Sequence, residues 1–237
     1  MNSEHAFALG PTFSRSQAEL PGWGERFLRK NLGSFLSFKR TAYEVWTNFE
    51  QNSHIDPTVL LGSQAFVVSQ NRSVRLGARS VCRGILRCEP QPSASIEIGE
   101  DVYLGDDTLL SAATSIRIGS RTLIAHEVQI FDNNTHPLDP HERFQDWQFI
   151  LGRVSQKPRI PSDPVVIGED CWIGVRSIIM KGVTLGRGCV VAAGSVVTKS
   201  FPELSLIGGN PAKLIGELRS SYSNDQENSS NEKSFFD

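Results

Sequence analysis

An aliphatic residue followed by glycine or alanine recurs in steps of six residues, and this repeat constrains the fold more than any other feature. The pairs are Ile98-Gly99, Leu104-Gly105, Ile118-Gly119, Ile124-Ala125, Ile167-Gly168, Ile173-Gly174, Leu185-Gly186 and Val191-Ala192, with a degenerate Ile179-Met180. A small or branched residue follows each aliphatic residue by four positions. A period of six fits neither a helix nor a simple alternating strand. It predicts an all-β solenoid, in which three short strands form each triangular coil and aliphatic ladders fill the interior.

Weaker pairs extend this pattern toward the start of the chain. They are Ile55-Asp56, Leu61-Gly62 and Leu76-Gly77, with irregular spacing between positions 64 and 92. The repeat therefore predicts a β-helix domain over residues 53–216.

The segments on either side of this domain have a different composition. Within residues 1–52, apolar residues at helical spacing from Glu25 to Glu50 alternate with Arg and Lys, which predicts an amphipathic helix. This helix is interpreted as a cap on the apolar end of the stack, and the alternative is a basic surface for a membrane or a partner enzyme. Residues 217–237 are polar and are predicted to form a disordered tail.

The bulk composition excludes several classes of protein. The chain has 24 basic and 26 acidic residues, so it lacks the positive surplus expected of a nucleic-acid-binding protein. Neither a signal peptide nor an apolar run of about 18 residues is present, so a cytoplasmic location is expected. The four cysteines lack CxxC or zinc-finger spacing and are expected to be reduced core residues.

The repeat stops near Asp132 and resumes at Val166, which predicts an extruded loop over residues 137–164. Long insertions in compact domains are usually functional. His136 lies where the chain leaves the coil, and the following Pro137 biases it toward an extended backbone. An imidazole titrates near neutral pH, so His136 is a candidate general base, although a structural or solvated histidine is the alternative.

Three segments between Ile118 and Ile215 carry a resemblance to a known family. They read IGSRTLIAHEVQIFDNNTHPLDP, VVIGEDCWIGVRSIIMKGVTLGRGCVVAAGSVVTKSFP and GGNPAKLIGEL. Together they resemble the hexapeptide-repeat acetyltransferases, above all the maltose and galactoside O-acetyltransferases and the O-acetyltransferases of bacterial surface polysaccharides. The resemblance implies a left-handed parallel β-helix, a homotrimer, and acetyl-CoA bound between subunits. It also implies that His136 is the general base.

The resemblance assigns acetyl-CoA contacts to Trp172, Gly174, Ala193, Gly194, Thr198, Lys199 and Lys213. Glycine and alanine let a pantetheine arm approach the backbone, and lysines suit phosphate groups. Ordinary packing for Trp172 and a solvated surface role for the lysines remain alternatives.

Acceptor contacts are predicted at Asp132, Asn133 and Asn134 in the loop exit, and a structural role as turn formers is the alternative for the two asparagines. Where the sugar acetyltransferases carry polar acceptor-binding residues, this chain has Gly105, Ala112 and Ala113. A larger glycan or a lipid-linked sugar is therefore expected in place of free galactosides or maltose.

The expected chemistry is direct acetyl transfer without a metal. No serine or cysteine lies in a recognisable activation motif, which disfavours a covalent acetyl-enzyme. The imidazole needs an orienting partner, and Asp132 or a backbone carbonyl are the candidates.

Two other functions use the same scaffold. A γ-type carbonic anhydrase needs three histidine ligands to zinc, and His136 and His141 have no obvious third partner in the sequence. A non-catalytic scaffold is the second, but it would have no need of a histidine at the loop exit.

Overall fold

In the computed structural model, which describes residues 12–18, 34–69 and 71–218, the chain winds into a parallel β-solenoid of about seven turns. This confirms the predicted solenoid of hexapeptide repeats. The strands form three sheets, named faces A, B and C, and each coil visits them in the order B, A, C.

Face A contains β1 (Thr12–Phe13), β3 (Leu60–Gly62), β6 (Val81–Cys82), β9 (Tyr103–Leu104), β12 (Leu123–Ile124), β15 (Trp172–Ile173), β18 (Val190–Val191), β20 (Ser205–Gly209) and β21 (Ala212–Glu217). Face B contains β2 (Ser53–Ile55), β5 (Val74–Leu76), β8 (Ser95–Ile98), β11 (Ser115–Ile118), β14 (Val165–Ile167) and β17 (Thr184–Leu185). Face C contains β4 (Phe66–Val68), β7 (Ile85–Cys88), β10 (Leu109–Ala112), β13 (Gln129–Phe131), β16 (Ile178–Ile179) and β19 (Val196–Val197). The helices are α1 (Arg15–Ala18), α2 (Ser34–Asn52) and α3 (Pro140–Ile150).

The strand register follows the repeat in the sequence. Trp172 pairs with Val190 and Ile178 pairs with Val196, so one coil spans 18 residues, or three hexapeptides. The first coils keep the same parallel pairing despite their irregular spacing, because the additional residues lie in the turns.

The predicted aliphatic ladders form the core. Their fully buried members include Ile96, Ile116, Ile124, Ile130, Ile167 and Ile173. Removal of apolar surface from water, at about 25 cal/mol per Å², makes these ladders the main source of stability. All four cysteines are free and buried, and burial raises the pKa of the Cys82 thiol to about 12. Cys82 is therefore a packing residue.

Helix α2 packs against the first coil. The Trp46 side chain is buried and donates from Nε1 to the carbonyl of Phe13 at 3.1 Å. The predicted helix begins at Glu25, but residues 19–33 lie outside the described part of the chain, as do residues 219–237 of the predicted tail. No helix in the described part has the length and apolar character needed to cross a membrane.

The insertion leaves the fourth coil at the edge between faces C and B. Backbone hydrogen bonds close its base, from Asn134 N to Pro161 O at 3.1 Å and from Asp163 N to Asp132 O at 2.8 Å. Strand β14 therefore pairs directly with β11, and the ladder continues without a gap.

The insertion differs from a simple extruded loop because it contains α3. Asp139 is the N-cap, and its carboxylate accepts hydrogen bonds from the amides of His141 and Glu142. Pro140 occupies the first turn, where a missing N–H has no cost. These two residues together start the helix.

The last strand leaves the parallel pairing of the coils. At the end of the span 53–216 predicted for the β-helix domain, β21 runs antiparallel to β20 as a hairpin. The repeat ends because the chain turns back at Asn210-Pro211.

Candidate active site

The imidazole of His136 is held by a carboxylate from α3. Its Nδ1 lies 2.7 Å from Oδ2 of Asp146, whose side chain is 1% exposed. The His136 side chain is 54% exposed, and Nε2 has no hydrogen-bond partner among the described residues. The exposed nitrogen is therefore available to a substrate.

The backbone around His136 is fixed by local hydrogen bonds. Thr135 has a positive φ of 61°, and its amide donates to Oδ1 of Asn133 at 2.8 Å. The His136 amide donates to the carbonyl of Asn134 at 2.7 Å. With Pro137 following, the imidazole is presented by a constrained turn.

Asp132 does not have the predicted role at the acceptor site or beside the imidazole. Its side chain is fully buried, and its carboxylate accepts hydrogen bonds from the amides of Ala113 at 2.7 Å and Thr114 at 2.6 Å. Both oxygens therefore serve the turn of the preceding coil. The hydrogen-bond partner of the His136 imidazole is Asp146, which the sequence did not indicate.

The two asparagines of the loop exit differ in availability. Asn133 is buried, and its side-chain amide nitrogen donates to Asp132 and Ser111. Asn134 is half-buried, and its side chain has no hydrogen bond among the described residues. Of the three predicted acceptor contacts, only Asn134 keeps a free polar side chain.

Most of the residues assigned to acetyl-CoA lie along the edge between faces A and C. Trp172 is 54% exposed on the outside of face A. Gly174, Ala193 and Gly194 follow β15 and β18 in adjacent coils. A Cβ on Gly174 would lie 2.6 Å from the Ala193 amide nitrogen, so close coil stacking alone requires glycine there. A Cβ on Gly194 would meet no atom of the described residues within 4 Å, so these residues leave space for a ligand at this position.

The remaining assigned residues lie elsewhere. Thr198 and Lys199 follow β19 at the edge between faces C and B, and the Lys199 ammonium lies 5.5 Å from the Phe201 ring centroid. Lys213 is exposed on β21.

These positions divide the predicted site in two. His136 shares the C/B edge with Thr198 and Lys199, whereas Trp172 and Gly194 belong to the A/C edge. The two edges are separated by the width of face C, roughly 16 Å for five residues of strand at ~3.3 Å each. A single chain therefore does not bring the whole predicted set together.

The outer surfaces of the faces differ in chemistry. On face A, seven apolar residues stand in register, one for each coil: Leu60, Val81, Tyr103, Leu123, Trp172, Val190 and Leu206. On face B, the equivalent column is mostly polar or charged: His54, Arg75, Glu97, Arg117, Val166 and Thr184. We call the first set the face A column. Such a continuous apolar row on an outer surface is typical of a contact surface.

Helix α3 carries a second exposed apolar surface, which sequence reasoning missed. Phe144, Trp147 and Ile150 are 59%, 53% and 56% exposed. The sequence Asp139-Pro140 signals the start of this helix, but no pattern singles out Asp146.

The zinc alternative has no support within one chain. Among the described residues, no group of three or more His, Cys, Asp or Glu side chains is arranged to hold a metal ion. His141 instead lies on α3, with Nε2 3.1 Å from the Gln145 side chain.

Comparisons with known proteins agree with the repeat and the fold. Residues 164–199 match the family model described as the hexapeptide repeat of succinyl-transferase. The chain is 31% identical over 155 residues to a protein of Escherichia coli provisionally assigned as the lipopolysaccharide biosynthesis O-acetyl transferase WbbJ, with 62% of this chain and 74% of that protein covered.

Other curated relatives match over a smaller share. A provisionally assigned acetyltransferase of Saccharomyces cerevisiae is 32% identical, with 54% of this chain and 62% of the relative covered. A Mycobacterium tuberculosis protein with a similar assignment is 34% identical over 54% of this chain and 39% of its own length. The chain thus spans about half the length of these relatives.

Two solved structures have a similar fold. The polySia-specific acetyltransferase NeuO is 25% identical, with a TM-score of 0.56 and coverage of 76% of this chain and 81% of that one. The N-acyltransferase AntD of Bacillus cereus, in complex with dTDP and 3-hydroxybutyryl-CoA, is 18% identical with a TM-score of 0.57. That comparison covers 78% of this chain and 93% of AntD, and shows the fold alone.

Proposed function

Since the chain belongs to the hexapeptide-repeat acetyltransferase family, we propose that it transfers an acetyl group from acetyl-CoA to a sugar hydroxyl, with His136 as general base. The observation that carries this proposal is the imidazole of His136, held on one side by a buried carboxylate and open to solvent on the other. A merely solvated surface histidine would not need a buried carboxylate beside it.

Acetyl-CoA as donor is supported by chemistry and by the neighbours. AntD is an N-acyltransferase whose crystal structure contains 3-hydroxybutyryl-CoA, and its fold is similar to this one. In this chain the open backbone at Gly194 suits an extended pantetheine arm, and the exposed Lys199 and Lys213 suit phosphate groups.

A homotrimer with sites between subunits would unite the two halves of the predicted site. In a cyclic trimer each subunit presents one edge to one neighbour and its other edge to the second neighbour. The C/B edge with His136 could then meet the A/C edge with Trp172 and Gly194 of another copy. The face A column supports this arrangement, because it leaves an apolar surface for a second copy to cover.

The proposed transfer is direct. Nε2 of His136 removes the proton from the acceptor hydroxyl as its oxygen attacks the thioester carbonyl. The tetrahedral oxyanion is stabilised by a backbone N–H, after which the C–S bond breaks and the acetyl ester is released. The proton on the imidazolium then passes to the departing CoA thiolate. No metal is needed, because the imidazole accepts the proton of the hydroxyl and a backbone N–H stabilises the oxyanion.

The acceptor is proposed to be a larger glycan or a lipid-linked sugar. WbbJ is assigned to lipopolysaccharide biosynthesis, and NeuO is a polySia-specific acetyltransferase. In this chain the polar contacts expected for a small sugar are absent at Ala112 and Ala113, which are both buried. Of the three predicted acceptor residues, Asn134 keeps a side-chain amide without a hydrogen-bond partner among the described residues. The cytoplasmic location expected from the sequence is part of this proposal.

The test is steady-state release of CoA thiol by purified wild-type and His136→Ala protein with a panel of glycan and lipid-linked acceptors. Loss of a general base should lower kcat by about 100- to 10,000-fold. His141→Ala is the matched control, because His141 is exposed on α3 and should leave turnover close to wild type.

Near-wild-type turnover by folded His136→Ala protein would remove the base from the mechanism. Titration calorimetry with acetyl-CoA distinguishes the non-catalytic alternative, since a scaffold would bind no donor.

A further inference from the structure

We propose that Asp146 is a positioning residue, which holds the proton of His136 on Nδ1 and so leaves Nε2 free to act as base. This inference rests on the proposed function of His136 and names the group that prepares it for the reaction. Asp146 itself is buried and would not touch the substrate.

The first argument is the geometry of the pair. Nδ1 of His136 and Oδ2 of Asp146 are 2.7 Å apart, a distance typical of a hydrogen bond to an ionised group. The second carboxylate oxygen, Oδ1, is also buried and has no hydrogen-bond partner among the described residues. The imidazole is therefore the only described partner of this carboxylate.

The second argument is the orientation of α3. Asp146 is the one buried residue of this helix, while Phe144, Trp147 and Ile150 are exposed. A surface helix normally buries its apolar face and exposes its charges. Burial of a carboxylate opposes folding unless it is paired, so stability alone does not explain this choice. Contact with His136 does explain it.

The third argument is that α3 is tied to the chain beside His136. Nη1 of Arg143 donates to the carbonyl oxygens of Pro137 at 3.2 Å and Leu138 at 2.9 Å. Together with the Asp139 cap, these bonds fix the first turn of α3 against the two residues that follow the base. Asp146 is thereby held at a constant distance from the imidazole.

The chemistry follows from the donor and acceptor capacity of the two groups. An ionised carboxylate only accepts hydrogen bonds, so the proton of neutral His136 must be on Nδ1. The lone pair of Nε2 is then directed toward the exposed side, where the acceptor hydroxyl would bind. After Nε2 takes that proton, the imidazolium carries a positive charge next to the buried carboxylate, which stabilises it.

The experiment compares Asp146→Asn and Asp146→Ala, with Glu142→Gln as the control from the exposed surface of the same helix. In Asp146→Asn the side-chain NH₂ can donate to Nδ1 and favour the tautomer with hydrogen on Nε2, which cannot act as base. We expect kcat to fall by on the order of 100-fold or more, with the KM for acetyl-CoA unchanged. We expect Asp146→Asn to be at least as impaired as Asp146→Ala, and Glu142→Gln to resemble wild type.

Two further readouts separate positioning from a structural role. In the His136→Ala background, Asp146→Asn should have no additional effect on kcat, because the carboxylate acts through the imidazole. Nitrogen-15 NMR of histidine-labelled wild-type protein should show neutral His136 with its proton on Nδ1. This measurement applies even where a variant does not fold.

Several results would overturn the inference: wild-type His136 with its proton on Nε2, turnover of Asp146→Asn within about threefold of wild type, or a full additional loss in the His136→Ala background. Failure of the proposed function looks different, because His136→Ala would then itself remain active.

Discussion

At the scale of single residues, Asp132 shows how a polar side chain near a reactive histidine can serve the fold instead of the chemistry. It lies four positions before His136, yet its two oxygens accept hydrogen bonds from the amides of Ala113 and Thr114. These amides belong to the turn between β10 and β11 in the preceding coil. Through these hydrogen bonds, Asp132 connects the base of the insertion to the solenoid.

Asp132→Ala should lower the free energy of unfolding by about 3 kcal/mol, because the buried amide of Ala113 and the half-buried amide of Thr114 lose charge-assisted hydrogen bonds. Chemical denaturation measures this change. Asp163→Ala is the control at the same base of the insertion, because its exposed pair with Lys181 is worth less than about 1 kcal/mol. Equal stability of the two variants would show that the Asp132 contacts contribute little.

At the scale of elements, the insertion is a separate unit attached to an intact ladder. Its base is closed by the bond between Asn134 and Pro161, and β14 continues the pairing of β11 directly. Helix α3 buries only one of its own side chains. The solenoid therefore gains little of its stability from the insertion.

Replacement of residues 138–159 by a short Gly-Ser linker should leave the solenoid folded, with a change in Tm below about 5 °C. The same variant should lose on the order of 100-fold or more in turnover, because His136 loses its orienting carboxylate. Circular dichroism during heating and thiol release measure the two effects. A cooperative loss of β-structure at much lower temperature would show that the insertion supports the coils.

The sequence predicts the coils better than the insertion for a physical reason. Burial of Ile124, Ile173 and their equivalents repeats in every coil, so it leaves a periodic signal. The contact between His136 and Asp146 depends on how α3 docks, and that is not encoded in spacing. From the sequence alone, the apolar side chains of Phe144 and Trp147 would be expected to face the solenoid. The observed orientation is the opposite, because these side chains are exposed and Asp146 is buried.

At the scale of the whole molecule, faces A and B differ in the chemistry of their outer surfaces. Face B is mostly polar or charged, whereas face A presents its apolar column along the length of the stack. The two halves of the predicted site lie at opposite edges of face C. Assembly and activity should therefore depend on each other.

Leu123→Arg should weaken assembly, because it places a charge in the centre of the face A column, next to Trp172. Sedimentation velocity at about 10 µM protein is expected to show a shift from the proposed trimer toward monomer, with an association free energy weaker by about 3 kcal/mol. Turnover should fall in proportion to the trimer lost. Arg117→Ala on face B should change neither the association free energy nor the turnover. An unchanged trimer in Leu123→Arg would exclude face A from the interface.

The way in which the stack ends has a consequence for solubility. Open strand edges can add another chain and polymerise into fibres. At one end Asn48 of α2 bonds both the amide of Val67, at 2.8 Å, and its carbonyl, at 3.1 Å, as a neighbouring strand would. At the other end β21 reverses along β20 and occupies that edge. These two contacts occupy strand edges at the two ends of the stack. Head-to-tail association of β-helices through these edges is therefore blocked, and the molecule does not polymerise through them.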